Sequence, residues 1–338
     1  LLKKSFPFNH KKQNNPCLSG SHYMSVIHPA IVSFGSINVD LTVHVDTFPK
    51  AGETKHASNY AIGLGGKGAN QAAAVARLCQ DSQTKTALIG RVGADDFGIF
   101  AKDTLAAFGV ETSLIHTDQS QATGIALINI DAKGENCITV VGAANMAVSE
   151  IDIEKNIAHL ENASVLLLQL ECPLTIVTKA AAKTRSAGGQ VILDPAPVPQ
   201  DDLPKALWDA IDVITPNETE THRLTNILPD TPESAAQAAE KLLQKGVRAV
   251  VIKMGHRGTY WHDGTKGDFV KPFSVTAIDT VAAGDCFNAG LAVALNEGKP
   301  LPQAVRFASA CGALATTKKG AADSAPTREE VGKLLNSY

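Results

Sequence analysis

Between Asp279 and Phe287 the chain reads Asp-Thr-Val-Ala-Ala-Gly-Asp-Cys-Phe and runs into the alanine-rich apolar segment Phe287 to Leu295. The pattern is that of a turn opening a helix. A helix start points free backbone N–H groups outward, and with the positive end of the helix dipole these form an anion site. Ala283 and Gly284 are small enough to let a phosphate reach it. Asp285 then stands beside the phosphate, placed to take a proton from an attacking hydroxyl while the helix start balances charge on the group in transfer. From this stretch alone, an N-capping aspartate on an ordinary helix reads equally well.

A second chemical string is Gly63-Leu64-Gly65-Gly66-Lys67-Gly68-Ala69-Asn70-Gln71, which opens a helix reaching Leu78. It satisfies GxGxxG, but it does not lie in the first strand-turn-helix, and Leu88, Ile89 and Gly90 stand where a dinucleotide site needs a ribose-binding acid. Nor is it a Walker A loop, since Gly68 follows Lys67 where Ser or Thr belongs. The glycines let backbone approach a ligand, with Lys67 and Asn70 as donors; a structural turn would leave those two residue types unexplained. Asn38 and Asp40, alternating with Ile37 and Val39, point to one side, and an amide beside a carboxylate suits the vicinal hydroxyls of a sugar. A solvated turn is the alternative.

These groups need elements to position them. Ala30 to Gly35 is a short apolar run, expected as a buried strand ending at Asn38 and Asp40. Leu41 to Ala61 is strand-like and broken at Pro49 to Gly52, and Thr123 to Ile130 with Asn136 to Val141 form a hairpin pattern. Together they suggest a small separate sheet. Further strands are expected over Lys85 to Val92, Val165 to Leu170, Gln190 to Leu193, Asp212 to Ile214 and Val247 to Ile252, alternating with helices. That alternation calls for a parallel sheet covered on both faces, with its ligand crevice at the strand C-termini. Polar residues recur there: Glu171, Asp194, Asn217 to Glu220, and Lys253 to Gly258.

With 338 residues the chain can bury a large core, and a net charge of −3 gives no electrostatic reason to expect nucleic acid or an anionic membrane as partner. A small-molecule substrate fits better. Six scattered cysteines without a CxxC pair speak against a zinc site or a disulfide framework, and point to a reducing, cytoplasmic setting. No apolar run approaches the roughly 20 residues of a membrane span. The basic, polar stretch 1–28 is expected to be an N-terminal extension. His44, His116, His222 and His262 lack ligand spacing; Cys286, Trp208 and Trp261 read as packing residues.

Five pieces in order, GSINVD (35–40), GGKGANQ (65–71), QLE (169–171), PNETE (216–220) and DTVAAGD (279–285), resemble the ribokinase family of sugar kinases from Ile31 to the C-terminus. The resemblance implies a three-layer α/β/α domain over 29–338 with a smaller β-sheet lid, drawn from about 40–62 and 122–141, through which the protein forms a homodimer. It implies ATP-dependent phosphorylation of D-ribose at the 5-hydroxyl. Another acceptor on the same scaffold (2-deoxyribose, fructose, a nucleoside) and a non-enzymatic sensor are the alternatives.

By position, Asp285 matches the base, and the amides of Ala283, Gly284 and Asp285 the anion hole. Asn38, Asp40, Gly66, Lys67, Asn70 and Glu171 match sugar contacts. Asn217, Lys253, Met254, Gly255, His256, Arg257, Gly258, Gly284 and Ser309 match ATP-binding positions, with Asn217 and Glu220 in the Mg²⁺–phosphate environment. An activating K⁺ is implied near Asp279, Val281, Ala315, Lys318, Gly320 and Ser324, held mostly by carbonyl oxygens. Lys253 in place of a frequent Thr, Asp194 in place of a frequent Asn, and the small Ser309 depart from the family pattern, all on the nucleotide side.

Overall fold

A computed structural model describes residues 30–338; the stretch 1–28 lies outside the described residues. In chain order the strands are β1 (Ile31–Phe34), β2 (Asn38–His44), β3 (Tyr60–Gly65), β4 (Thr86–Gly93), β5 (Ile115–Asp118), β6 (Gly124–Ile130), β7 (Asn136–Val141), β8 (Val165–Leu168), β9 (Gln190–Leu193), β10 (Val213–Ile214), β11 (Ala249–Lys253), β12 (Thr259–His262) and β13 (Gly267–Val270). They form two sheets. The larger has the order β13-β12-β11-β10-β9-β8-β1-β4-β5, the smaller β3-β2-β6-β7.

Short strands rich in Ile, Val and Leu, such as β1, β8 and β9, suit a sheet buried on both faces. Within β8, Val165 and Leu167 pack toward the helices Lys67–Leu78, Ala283–Asn296 and Leu301–Ala315, whereas Leu166 and Leu168 pack toward Leu174–Ser186 and Pro232–Gln244. This period-two division makes the three layers, and each fully buried leucine contributes about 2 kcal/mol.

The seven strands from β11 to β5 are parallel. The expectation of an all-parallel sheet needs correction at one edge. β12 runs antiparallel to β11, and β13 antiparallel to β12. The reason is local: Gly258, at φ 113°, turns the chain straight back after Lys253, with no room for a crossover helix.

Chain direction across the sheet reverses around β1, which lies between β4 and β8. Ligand crevices form at such a switch point, beyond the strand C-termini. Gly35 to Asn38 leaves β1 there and crosses into the smaller sheet, where β2 pairs antiparallel with β3 and parallel with β6.

Candidate active site

Asp285 is the third residue of the Ala283–Asn296 helix. It is not the N-cap, which settles that alternative: Ala282 occupies the position, in left-handed backbone at φ 57°, and supplies no side-chain cap. An alanine held there costs about 1 kcal/mol, a kind of strain that collects at functional sites. The Asp285 carboxylate faces out of its helix. Asn70 Nδ2 donates to Oδ2 at 3.1 Å and Gln71 Nε2 to Oδ1 at 3.0 Å, both from the Lys67–Leu78 helix. Burial raises the pKa of Asp285 to about 6; Lys67 opposes the rise, Asp194 adds to it, and the two amides oppose it.

The GGKGANQ string is held by close approach of backbone. Gly66 has φ 87°, and a Cβ there would lie 2.7 Å from Asn38 N. Lys67 N donates to Glu171 Oε2 at 3.2 Å, and Ser36 Oγ donates to the same oxygen at 2.5 Å. Burial works against the charge on Lys67, yet Asp285, Asp194, Glu171 and Glu220 outweigh it and hold the ammonium protonated above its ordinary range.

From the smaller sheet, Asn38 Oδ1 accepts from Asn145 Nδ2 at 2.8 Å. Asp40 lies against Gly65, where a Cβ would come within 1.9 Å of its Oδ1. Its pKa is raised to about 6 by burial first, then by Glu171 and Asp285. Asn38, Asp40, Gly66, Lys67, Asn70, Glu171 and Asp285 thus converge on one crevice.

On the far side, Asn217 caps the Glu218–Thr225 helix in a reciprocal box: Glu220 N donates to Asn217 Oδ1 at 2.9 Å, and Asn217 N to Glu220 Oε2 at 2.8 Å. Burial first, then Asp194, raise the pKa of Glu220, with Lys253 opposing. Lys253 pairs with Asp194 at 2.9 Å and is turned away from solvent. Gly255–Arg257 forms a single 3₁₀ turn, in which Arg257 Nη2 donates to Glu218 Oε1 at 2.6 Å while His256 is exposed. Met254 turns its side chain into the core at 1% exposure, so only its backbone faces this side. Ser309 Oγ donates to Val305 O at 2.8 Å and lies 3.2 Å from Thr259 Oγ1.

Near the start of the Ala283–Asn296 helix, two loops cross. Ile278 N and Asp279 N donate to Thr316 O, and Gly320 N donates to Asp279 Oδ2 at 3.2 Å. Val281 N donates to Asp279 Oδ1 at 3.0 Å; Ala315 O accepts from Lys318 N, and Lys318 Nζ is held by Glu330. Ser324 Oγ, fully buried, donates to Ala321 O and keeps acceptor capacity. Asp279, Val281 and Gly320 are thereby joined, Ala315 and Lys318 flank Thr316, and Ser324 is bonded to Ala321.

Three residues without an assigned role emerge. Gln71 bridges Asp285 and, at 3.3 Å, Asp194 Oδ2; Gln169 Nε2 donates to Gln71 Oε1 at 2.7 Å; Asn145 fixes Asn38. Gln71 and Gln169 sit inside motifs already singled out, so their types were visible. Asn145, in the turn Ala143–Ala147, carried no signal.

A carboxylate beside open helix amides, facing hydroxyl-binding groups across a sheet crevice, defines a site for moving a phosphoryl group onto a hydroxylated small molecule. The chain belongs to the pfkB family of carbohydrate kinases, whose profile matches residues 29–328. It is 41% identical over 301 residues to a ribokinase of Haemophilus influenzae, covering 89% of this chain and 96% of that protein. A deoxyribokinase of Salmonella typhimurium is 32% identical, covering 90% and 98%. The solved structure of Arabidopsis thaliana ribokinase with ribose and ATP superposes with a TM-score of 0.85 at 37% identity, covering 91% of this chain and 99% of that one.

Proposed function

We propose that this protein transfers the γ-phosphoryl group of ATP to the 5-hydroxyl of D-ribose, giving D-ribose 5-phosphate and ADP. The observation that carries this reading is Asp285, buried at the amide end of a helix with both oxygens oriented by Asn70 and Gln71. Asp285 takes the proton of the sugar hydroxyl as its oxygen bonds to the γ-phosphorus. The bond to the β–γ bridging oxygen breaks and ADP leaves. The amides of Gly284 and Asp285 face the transferring group, joined by that of Ala283 once it gives up its 3.3 Å bond to Thr280 O, and the Lys67 ammonium balances charge on the same side as the base. Asn38 and Asp40 bind sugar hydroxyls from the smaller sheet, which acts as a lid, and Glu171 fixes the Lys67 backbone.

Two cations fit residues present. Glu220 is a half-buried carboxylate with Asp194 nearby and spare lone pairs, a hard-oxygen environment suited to Mg²⁺ through water. Mg²⁺, when bound, neutralises phosphate charge. The crossing loops at 278–281 and 315–324 offer carbonyl, carboxylate and hydroxyl oxygens suited to K⁺, whose effect would be to stiffen the turn before Ala283. We further assign a homodimer through the lid and a cytoplasmic setting, the latter supported by five described cysteines standing as free thiols.

The test is ADP release with Mg-ATP and K⁺, comparing D-ribose, 2-deoxy-D-ribose and D-fructose against a no-sugar blank. Preference for ribose is expected. Similarity to a deoxyribokinase makes 2-deoxyribose the second acceptor to weigh, and turnover of it alone reassigns the substrate. Exchange of K⁺ for Na⁺ is expected to lower kcat.

A further inference from the structure

The end of β11 places an ammonium group where a helix start repels it. A Cβ on Gly284 would meet Lys253 Nζ at 3.5 Å, and Gly284 is the second residue of the Ala283–Asn296 helix. Ala283 N donates to Thr280 O at 3.3 Å, and the N–H groups that follow carry the partial positive charge of a helix start, so a cation beside them is disfavoured until an anion lies between. Asp194 keeps it there. The pair is 2.9 Å apart, with side-chain exposures of 14% and 4%. The other oxygen of Asp194 accepts from Gln71, the amide that also holds Asp285, and Lys253 N donates to Pro216 O at 2.9 Å. Side chain and backbone are both anchored, with the charge held beside Gly284 in the first turn of the helix.

We propose that Lys253 grips the phosphoryl group being transferred, facing the Ala283–Asp285 amides across it, and that Asp194 is the positioning residue that aims it. The proposal rests on the kinase reading above. Amides on one side and an ammonium on the other enclose the oxygens over which charge spreads during transfer. Without Lys253, Asp194 is a buried, unpaired anion beside the phosphates, so the two must behave as a unit.

The experiment measures Mg²⁺-dependent binding of ADP and of a non-hydrolysable ATP analogue by calorimetry, without sugar, for wild type, Lys253→Met, Asp194→Asn and the double variant. Loss of a charge-assisted contact to the third phosphate predicts that Lys253→Met weakens the analogue about 30-fold and ADP less than about threefold. In turnover, kcat falls about 100-fold while KM for the sugar stays within about threefold. Adding Asp194→Asn to Lys253→Met is expected to recover about tenfold in kcat, because the stranded carboxylate is gone. Should Lys253→Met lose its cooperative melt, Lys253→Gln with Asp194→Asn, which strands no charge, carries the same nucleotide comparison.

Equal losses for ADP and analogue overturn the phosphate contact, and multiplicative effects of the two substitutions overturn the positioning role. A wild-type protein that binds neither nucleotide overturns the kinase reading and this proposal with it. Turnover of a sugar other than ribose changes only the acceptor, since the binding arms contain no sugar.

Discussion

Asp285 is held by two neutral amides, and among the described residues no cation hydrogen-bonds to it, so its affinity for protons follows mainly from burial. A base with a pKa near 6 is mostly ionised at neutral pH yet basic enough to accept a proton in transit. Asp285→Ala is therefore expected to lower kcat about 10³-fold while ribose affinity, measured by calorimetry, stays within about threefold. Below pH 6 both Asp285 and Asp40 protonate, so kcat/KM for ribose is expected to fall along an acid limb centred near pH 6. The same shift bears on stability. The folded state binds these protons more tightly than the unfolded chain, so stability from both groups is greatest below about pH 4 and falls as pH rises toward 6. Asp285→Asn removes the charge, and Asn70, whose buried Oδ1 lacks a partner, can turn to accept from the new amide. The variant is expected to melt higher than wild type at pH 7.5 and alike at pH 4; an unchanged melting difference across that range would refute the burial account.

At the scale of elements, the site depends on where two helices begin. Gly66 lets the Lys67–Leu78 helix start against β2, and its neighbours there are backbone atoms of Asn38 and Ser36, which cannot swing away. Gly66→Ala is expected to cost about 2 kcal/mol in denaturant unfolding, more than Gly188→Ala, where φ is 92° and nothing lies within 4 Å of the added methyl. Equal costs would mean that backbone angle alone matters. Much of this scale is legible in the sequence. The apolar runs of β1, β8, β9 and β11, the hairpin β6–β7 and the helix start at Asp285 all follow from period, length and turn residues. β12 is harder to see: Thr259 to His262 is only four residues long, and the polar string before it reads as a loop serving the site. Pairings are less legible still. Asp194 and Lys253 lie 59 positions apart, and only the register of β9, β10 and β11 brings their ends together. Gln169 and Gln71, 98 apart, meet because β8 and the Lys67–Leu78 helix both lie against β1. Residue type exposes a candidate; the sheet order chooses its partner.

For the whole molecule, the alternation of side chains along the smaller sheet gives it two faces that would serve two tasks. Asn38 and Asp40 on β2 belong to the face that closes on the site, in register with Gly65, Gly63, Gly124 and Ala126. The intervening positions build the opposite face, where Tyr60, Ile62, Leu127 and Val141 are all exposed. Exposed apolar side chains from β3, β6 and β7 on that face suit the association surface proposed above, with a second copy of this sheet as occupant. Such a dimer would stiffen the strand that carries Asp40 without touching the nucleotide side. Ile62→Asp places a charge at the centre of that face, paired in register with Leu41. It is expected to shift the protein to a monomer in sedimentation and to raise KM for ribose about tenfold while KM for ATP stays within about twofold. Asp40→Asn should do the reverse in assembly, remaining dimeric while losing ribose affinity. A monomeric Ile62→Asp with unaltered ribose KM would separate the two faces and leave the lid to close by its own packing; a dimeric one would place the interface elsewhere.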